Sequence, residues 1–499
     1  MLNEITPKKE PAFTALMVGF LLAVVHQYLF YGNAIGVSYP IFIVFYYMYM
    51  LYYSKDRVRK LTWFSYAWLG SILLLSLTYV LFHNPFFFGL NLLAIPAIII
   101  LHMTFMLHPG QLSWASASLI KKALKHLFPQ TFRQWANLVG IMKKTAGIKV
   151  KEGQTDVYRK VLIGLLISCP LLLVVVSLLS SADGVFNQVL SEISQGWNHI
   201  SFGEGFIRTF WVVALGLGFF GYLWGFVKPH VPEEKPTKNG RDYLELFPSI
   251  KLDPIIATTV LFAVNTVYVL FVVVQFSYLF GAWEGILPEG SSYADYARNG
   301  FFELIMVTSI NFMILMSTLL LGEKGTELQN KIINVLLYVL VACSTVMLYS
   351  AYTRLDLYEE AYGYTYIRFL VHAFMLFLGV LMIIAGLRIH YKRLPLVKCY
   401  ILLGVLSYVL MNYIGMDVII ANNNMERYEI SGKLDTEYLF TLAPEAIPTL
   451  IEFSREEDGM LDTYLKEEWK STAASNQKWQ SFNLSQYRSQ RELDKYFDK

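Results

Sequence analysis

Eleven apolar runs, each about 20 residues long, constrain this chain more than any other feature, because that length carries a helix across the hydrocarbon of a bilayer. They fall at 13–31, 36–53, 62–82, 86–107, 161–181, 206–227, 254–280, 300–321, 332–352, 367–387 and 399–420. Lipid cannot satisfy exposed backbone N–H and C=O groups, so spans of this kind are helical. The expected fold class is all-α: a polytopic transmembrane helix bundle of about 11 spans, with a small helical extracytoplasmic C-terminal tail.

Composition points the same way. Of 499 residues, 55% are hydrophobic and 16% charged, whereas a soluble domain is about a quarter charged. The three cysteines, Cys169, Cys343 and Cys399, lie in or beside apolar runs, which disfavours a disulfide framework or a metal cage. Lys8 and Lys9 precede the first run, but no small-residue cleavage site follows, so a retained first helix is expected.

The net charge of +3 matters less than its distribution. Lys55, Arg57, Arg59 and Lys60 crowd the second connection, and Arg388, Lys392, Arg393 and Lys398 the tenth. The loop after residue 107 holds ten bases, among them Lys121, Lys122, Lys125 and Arg133. The intervening loops hold few. By the positive-inside rule the N-terminus is cytoplasmic and, after an odd number of spans, the C-terminus is extracytoplasmic, at a plasma (cell) membrane. Four parts follow: four helices in 1–107, a basic cytoplasmic loop at 108–160, a seven-helix core at 161–420 and an external tail at 421–499.

The basic loop is patterned. Leu119, Ile120, Ala123, Leu124 and Leu127 share a helical face, with the lysines elsewhere. Basic amphipathic helices of this kind lie on anionic lipid; a solvated elbow helix is the alternative, and nothing resembles a nucleic-acid reading module. The tail carries fifteen carboxylates against ten bases. Helices are expected near 434–442, 444–453, 459–471 and 484–497, as a small cap.

The ionisable residues that look out of place gather at the external end. Arg298 and Glu303 open the eighth span; Arg354, Asp356, Glu359 and Glu360 follow the ninth; Arg368 and His372 open the tenth; Asp417 ends the eleventh; Asn424 and Arg427 begin the tail. Tyr358, Tyr362 and Tyr366 are spaced by four, as are Arg368 and His372, and would share faces if helical. The functional reading is a polar pocket opening outward, with Arg298, Arg354 and Arg368 clamping an anionic group. Its rival is an interfacial belt of tyrosines and snorkelling arginines. Glu303 stands out because a carboxylate inside an apolar span requires a partner. Asn265, Gln275, Asn311 and Asn412, deeper in the spans, suit interhelical hydrogen bonds, with an ion path as the sharper alternative. His26, His102 and His372 are the histidines within spans. No histidine, cysteine and carboxylate spacing suggests a metal. There is no P-loop, dinucleotide fingerprint, nucleophile elbow or kinase signature, so no cofactor is expected and a primary pump is disfavoured.

Several motifs carry a resemblance. Ser168-Cys-Pro-Leu-Leu-Leu through Ser181-Ala-Asp-Gly-Val-Phe186, Tyr296-Ala-Arg-Asn-Gly-Phe-Phe-Glu-Leu304 and Leu357-Tyr-Glu-Glu-Ala-Tyr-Gly-Tyr-Thr365 resemble bacterial membrane proteins grouped as domain-of-unknown-function family 4173, related to family 4153. Arg427-Tyr428 with Gly432-Lys-Leu-Asp435, Ala443-Pro-Glu-Ala-Ile-Pro448 and Ser481-Phe-Asn-Leu-Ser485 are similar to that family's tail. The resemblance covers roughly the C-terminal two-thirds, beyond the first four spans. It implies a multi-pass bacterial envelope protein and no particular mechanism.

The leading expectation is therefore a transporter or permease-like protein rather than an enzyme. Its outward-facing site, for an anionic or zwitterionic solute or lipid head group, comprises Arg298, Glu303, Arg354, Tyr358, Glu359, Tyr362, Arg368, His372 and Arg427. The alternatives are an envelope enzyme acting on a lipid-linked substrate, with Glu303 or Glu359 as general base, and a membrane sensor or assembly scaffold. The expected partners are anionic lipids at the basic loop and a small solute or lipid, with no nucleic acid.

Overall fold

The computed structural model describes residues 11–58, 61–109, 112–135, 202–229, 251–283, 301–323, 325–473 and 478–497. Among them the chain is helical, with a single isolated bridge between Leu252 and Gly322. Nine helices among the described residues are long and apolar enough to cross a membrane. A tenth expected span is the 17-residue helix Ser38–Ser54, and the fifth, at 161–181, lies outside the described residues. The chain is an integral membrane protein.

Two compact units divide the chain. The first holds α1 (Pro11–Phe30), α2 (Ser38–Ser54), α3 (Trp63–Leu81), most of α4 (Pro85–Leu107), α5 (Ala117–Lys125) and α6 (Phe202–Val227), together with Gln477–Asn483. Glycine sets the approach of α1 to α6. A Cβ on Gly216 would lie 2.6 Å from the Phe20 ring, and one on Gly19 would lie 3.0 Å from the Tyr49 hydroxyl; small residues at such crossings let apolar helices pack closely. His102 sits in this core with Tyr47 and Ser65 hydroxyls 2.9 and 2.8 Å from its two ring nitrogens. It is a satisfied core histidine.

The basic helix α5 presents two faces. Leu119 and Ala123 are buried, while Ile120 and Leu124 point outward beside exposed Lys121 and Lys125. The apolar residues that the sequence places on one face are thus divided between core and exterior. Just beyond α5, the segment is anchored on α6 through His126 Nε2 to the Tyr222 carbonyl (2.8 Å), Gln134 Nε2 to the Lys228 carbonyl (2.9 Å) and Trp135 Nε1 to the Leu217 carbonyl (2.7 Å). Burial lowers the His126 pKa to about 4, so the imidazole is neutral.

The second unit contains Leu81–Leu90 and the C-terminal half. Its membrane part is α7 (Pro254–Trp283), α8 (Phe301–Leu321), α9 (Glu327–Tyr362), α10 (Tyr366–His390) and α11 (Leu396–Tyr413). Leu337, Leu340, Met347, Leu355, Leu378 and Met382 form the inner seam. Leu270, Met313, Leu376 and Ile383 are more than half exposed, the outward apolar belt that lipid covers. Asn265 donates to the Leu336 carbonyl (2.8 Å) and Asn311 to Ser344 Oγ (2.9 Å), both between helices as expected; Asn412 instead bonds Tyr408 one turn back in its own helix. The side chain of Gln275 lies outside the described residues.

Helix boundaries depart from the apolar runs in two places. α9 opens on a capping box, Thr326 with Gln329, and runs to Tyr362, ten residues past the apolar segment, before Gly363 at φ 86° ends it. Tyr358 and Tyr362 therefore meet on one face, ring centroids 4.8 Å apart and tilted by 47°. Tyr366 belongs to the next helix and leaves that set, because only a left-handed residue makes the turn. The eleventh span also stops early. Gly415, at φ 72°, separates α11 from α12 (Met416–Ser431), so Asp417 begins a new helix rather than ending a span. The rest of the tail is α13 (Thr436–Leu439), α14 (Ile447–Glu456), α15 (Asp462–Ala473) and α16 (Leu484–Phe497), packed on α12 around Ile420, Leu450, Phe453, Leu465 and Leu493.

Candidate functional site

The hairpin connections place the C-terminal ends of α9 and α11 and the N-terminal end of α10 at one end of the second unit. Lys251, Glu323, Arg388 and Lys392 mark the opposite end, where Lys251 and Glu323 pair at 3.0 Å. The polar end is built around the α9–α10 turn. Glu359 is buried, with 3% of its surface exposed, and its Oε2 lies 2.9 Å from His372 Nε2 on α10. Tyr352 meets the His372 ring edge-on at 4.5 Å. Asp356, one turn before Glu359, is exposed and completes a group of three whose ligand-type atoms all lie within 4.8 Å of one another. Burial raises the Tyr364 phenol above its ordinary value, and the carboxylates of Glu359, Asp356, Glu360 and Glu426 push it further. Negative potential therefore converges on this turn.

The arginines are placed against that end. Arg368 donates to the Gly363 carbonyl and covers the Tyr358 ring at 4.3 Å. Arg427, on α12, donates to the carbonyls of Glu360 (2.7 Å), Ala361 (2.7 Å) and Lys433 (3.1 Å). Cations at a helix C-terminus satisfy carbonyls that lack an intrahelical partner and complement the macrodipole. Arg427 thus secures the helix that carries Glu359. Arg354 is half-buried on α9, and Tyr362 is exposed. Asn424 clamps the turn itself: its Oδ1 accepts from the Tyr364 N–H and its Nδ2 donates to the Tyr364 carbonyl, each at 2.9 Å.

Not every expected site residue joins the cluster. Glu303 lies in the first turn of α8 on an exposed face, while Leu304 and Ile305 face the core. Arg298 lies outside the described residues, as does Asp295.

A second polar knot ties the tail to the bundle. Asp417 is 2% exposed; its Oδ2 accepts from Asn84 Nδ2 at 2.6 Å and its Oδ1 from the Ala443 N–H at 2.8 Å. Glu445 accepts from the His83 backbone N–H. Burial raises both carboxyls above their ordinary values and lowers His83, with the hydrogen bonds partly opposing it at the two acids. A recess with room for a single water lies among Asn84, Met411, Asn412, Asp417 and Glu445. Sequence reasoning missed Asn84, His83 and Glu445 as partners here. The one available signal was Asn84 before Pro85, a helix cap whose Oδ1 accepts from Phe86 and Phe87.

The sequence profile described as Domain of unknown function (DUF4153) matches residues 69–453, well over half of the chain. The chain belongs to that family. The match is to the related family of the pair that the motifs indicate, and it begins at residue 69, inside α3, so it reaches further toward the N-terminus than those motifs do. It covers the α9–α10 turn, Asp417 and the knot around Glu445 of this DUF4153 protein. No curated protein and no solved structure matches the chain.

Proposed function

We propose that this DUF4153 protein is permease-like, handling an anionic or zwitterionic solute or lipid head group at the polar end of the α9–α10 hairpin. One observation carries the reading. The second unit gathers Glu359, His372, Arg354, Arg368 and Tyr358 at one end, with the carboxylate of Glu359 nearly withdrawn from water. A buried carboxylate beside an imidazole can exchange a proton, and neighbouring guanidinium groups suit an anionic head. In this reading Arg427 is a positioning residue, and exposed Glu303 belongs to the lipid-facing rim of the entrance. The basic helix α5 rests on anionic lipid, since Ile120, Leu124 and Phe128 are exposed beside its lysines. Extracytoplasmic placement of the site rests on the lysine and arginine bias of the loops.

A second reading, an envelope enzyme on a lipid-linked substrate, draws support from the same buried pair, with Glu359 as general base. Uptake and membrane-lipid analysis of cells carrying Glu359→Gln, Arg368→Gln or Glu303→Gln separates the two. Permease action predicts lost solute uptake with folded protein retained. Turnover of a lipid by purified protein would favour the enzyme. Wild-type uptake and lipid composition in all three variants would remove the proposal.

A further inference from the structure

We propose that Asp356, Glu359 and His372 form a site for a divalent transition-metal ion, of the Zn2+ or Mn2+ type, at the α9–α10 turn. Asp356 and Glu359 are three apart on α9 and so share a face. Gly363 reverses the chain and brings His372 of α10 against them, and the three ligand atoms lie within 4.8 Å of one another. Metal–oxygen and metal–nitrogen bonds of about 2.0–2.4 Å place ligands on opposite sides of an ion about 4–5 Å apart. The triad is of the size such an ion requires.

The state of His372 points independently to a ligand. Both ring nitrogens are buried, and among the described residues neither has a hydrogen-bond partner. Nε2 approaches Glu359 Oε2 to 2.9 Å, but out of line for a hydrogen bond. Two metal ligands sit this way: close to each other and directed at a third atom rather than at each other. Two buried, unsatisfied ring nitrogens on a side chain that is only 14% exposed are a rare exception that calls for a water or an ion.

Donor type narrows the ion. One imidazole and two carboxylates form the mixed N/O set that Zn2+ and Mn2+ accept. Two carboxylate charges also balance a divalent cation, which removes repulsion between groups of which Glu359 is nearly dry. Asp356 is exposed, so the remaining coordination positions face solvent. The edge of Tyr352 on His372 holds the ring plane. Sequence spacing concealed the set, because the histidine stands beyond a turn and on another helix.

Purified full-length protein in detergent, stripped with a chelator, is titrated with ZnCl2 and MnCl2 by calorimetry and with Co2+ as an optical probe. The expected result is one equivalent of ion and a Co2+ spectrum displaced by Zn2+. His372→Gln and Glu359→Gln should each weaken binding by at least about 10- to 100-fold, the range already lost when only the supports of ligands are removed. His390→Gln, at the opposite end of α10, should leave it unchanged. Absence of binding by the wild-type protein overturns the proposal without recourse to any variant, and so does undiminished binding in monodisperse His372→Gln and Glu359→Gln proteins. The site stands apart from the permease reading: ion binding by the wild-type protein, lost in those variants while their uptake stays normal, refutes transport only, and loss of uptake in the variants with no ion binding by the wild-type protein refutes the metal site only.

Discussion

Replacing Asp417 with alanine should release the tail from the bundle. Its carboxylate is the common acceptor for Asn84 Nδ2 and the Ala443 N–H, at 2.6 and 2.8 Å, and is 2% exposed. Alanine leaves two buried donors unpaired, at about 1–3 kcal/mol each. It also removes a negative charge from the first turn of α12, worth about 0.3–1 kcal/mol. Relief of the buried carboxylate offsets part of this, as its raised pKa requires. The net cost is about 2–4 kcal/mol, or about 30- to 1,000-fold in the population of opened tail. Hydrogen exchange at the Ala443 amide reads that opening directly, and limited proteolysis of residues 434–473 reads it in bulk. Asp417→Asn keeps one acceptor and should fall between the two. Exchange at Ala443 changed less than about threefold in Asp417→Ala, a cost under about 0.7 kcal/mol, would refute the view that this carboxylate holds the tail.

Four further outcomes follow from the same geometry. Because burial raises the folded pKa of Asp417, its contribution is fully present below the ordinary carboxylate pKa and is lost as pH rises through the folded value; the stability gap between wild type and Asp417→Asn, followed by thermal unfolding, should narrow from pH 4 to pH 8. Gly363→Ala should destabilise the α9–α10 turn by about 2–3 kcal/mol in denaturant titration, since φ is 86° and the new Cβ would lie 2.9 Å from Asn424 Oδ1. Asn424→Ala should cost about 2–4 kcal/mol in the same titration by stranding both backbone groups of Tyr364. Lys121, Lys122 and Lys125 changed together to Gln should abolish any stabilisation by anionic over zwitterionic nanodiscs, at about 1 kcal/mol per lysine.

The bundle was legible because apolar runs of bilayer length leave one backbone solution. What the runs could not show is where a helix continues as a polar rod or stops at a glycine. The last ten residues of α9 are polar yet helical, held by Arg427 from a distant segment, and a hydropathy pattern carries no trace of that contact. Gly415 sits in an apolar stretch, and its left-handed conformation is invisible until the chain has turned. The polar end was legible as a list, since Glu359, Arg368 and His372 are conspicuous in such surroundings. Their pairing was not. Glu303 drew more weight from sequence than its exposed position supports by geometry alone, because burial cannot be read from its place in a span. Asn84 and Glu445 escaped notice because their partners lie 333 and 362 positions away along the chain.

The 36 residues of α9 make a rod about 54 Å long at 1.5 Å per residue, against a hydrocarbon thickness of about 30 Å. The excess cannot be hidden by shortening. A thinner bilayer is met by leaning the rod and a thicker one by righting it, while Asp356 and Glu359 keep a fixed distance along the helix from the apolar stretch. The helix therefore acts as a gauge, fixing how far from the lipid tails any guest of the turn must come to rest.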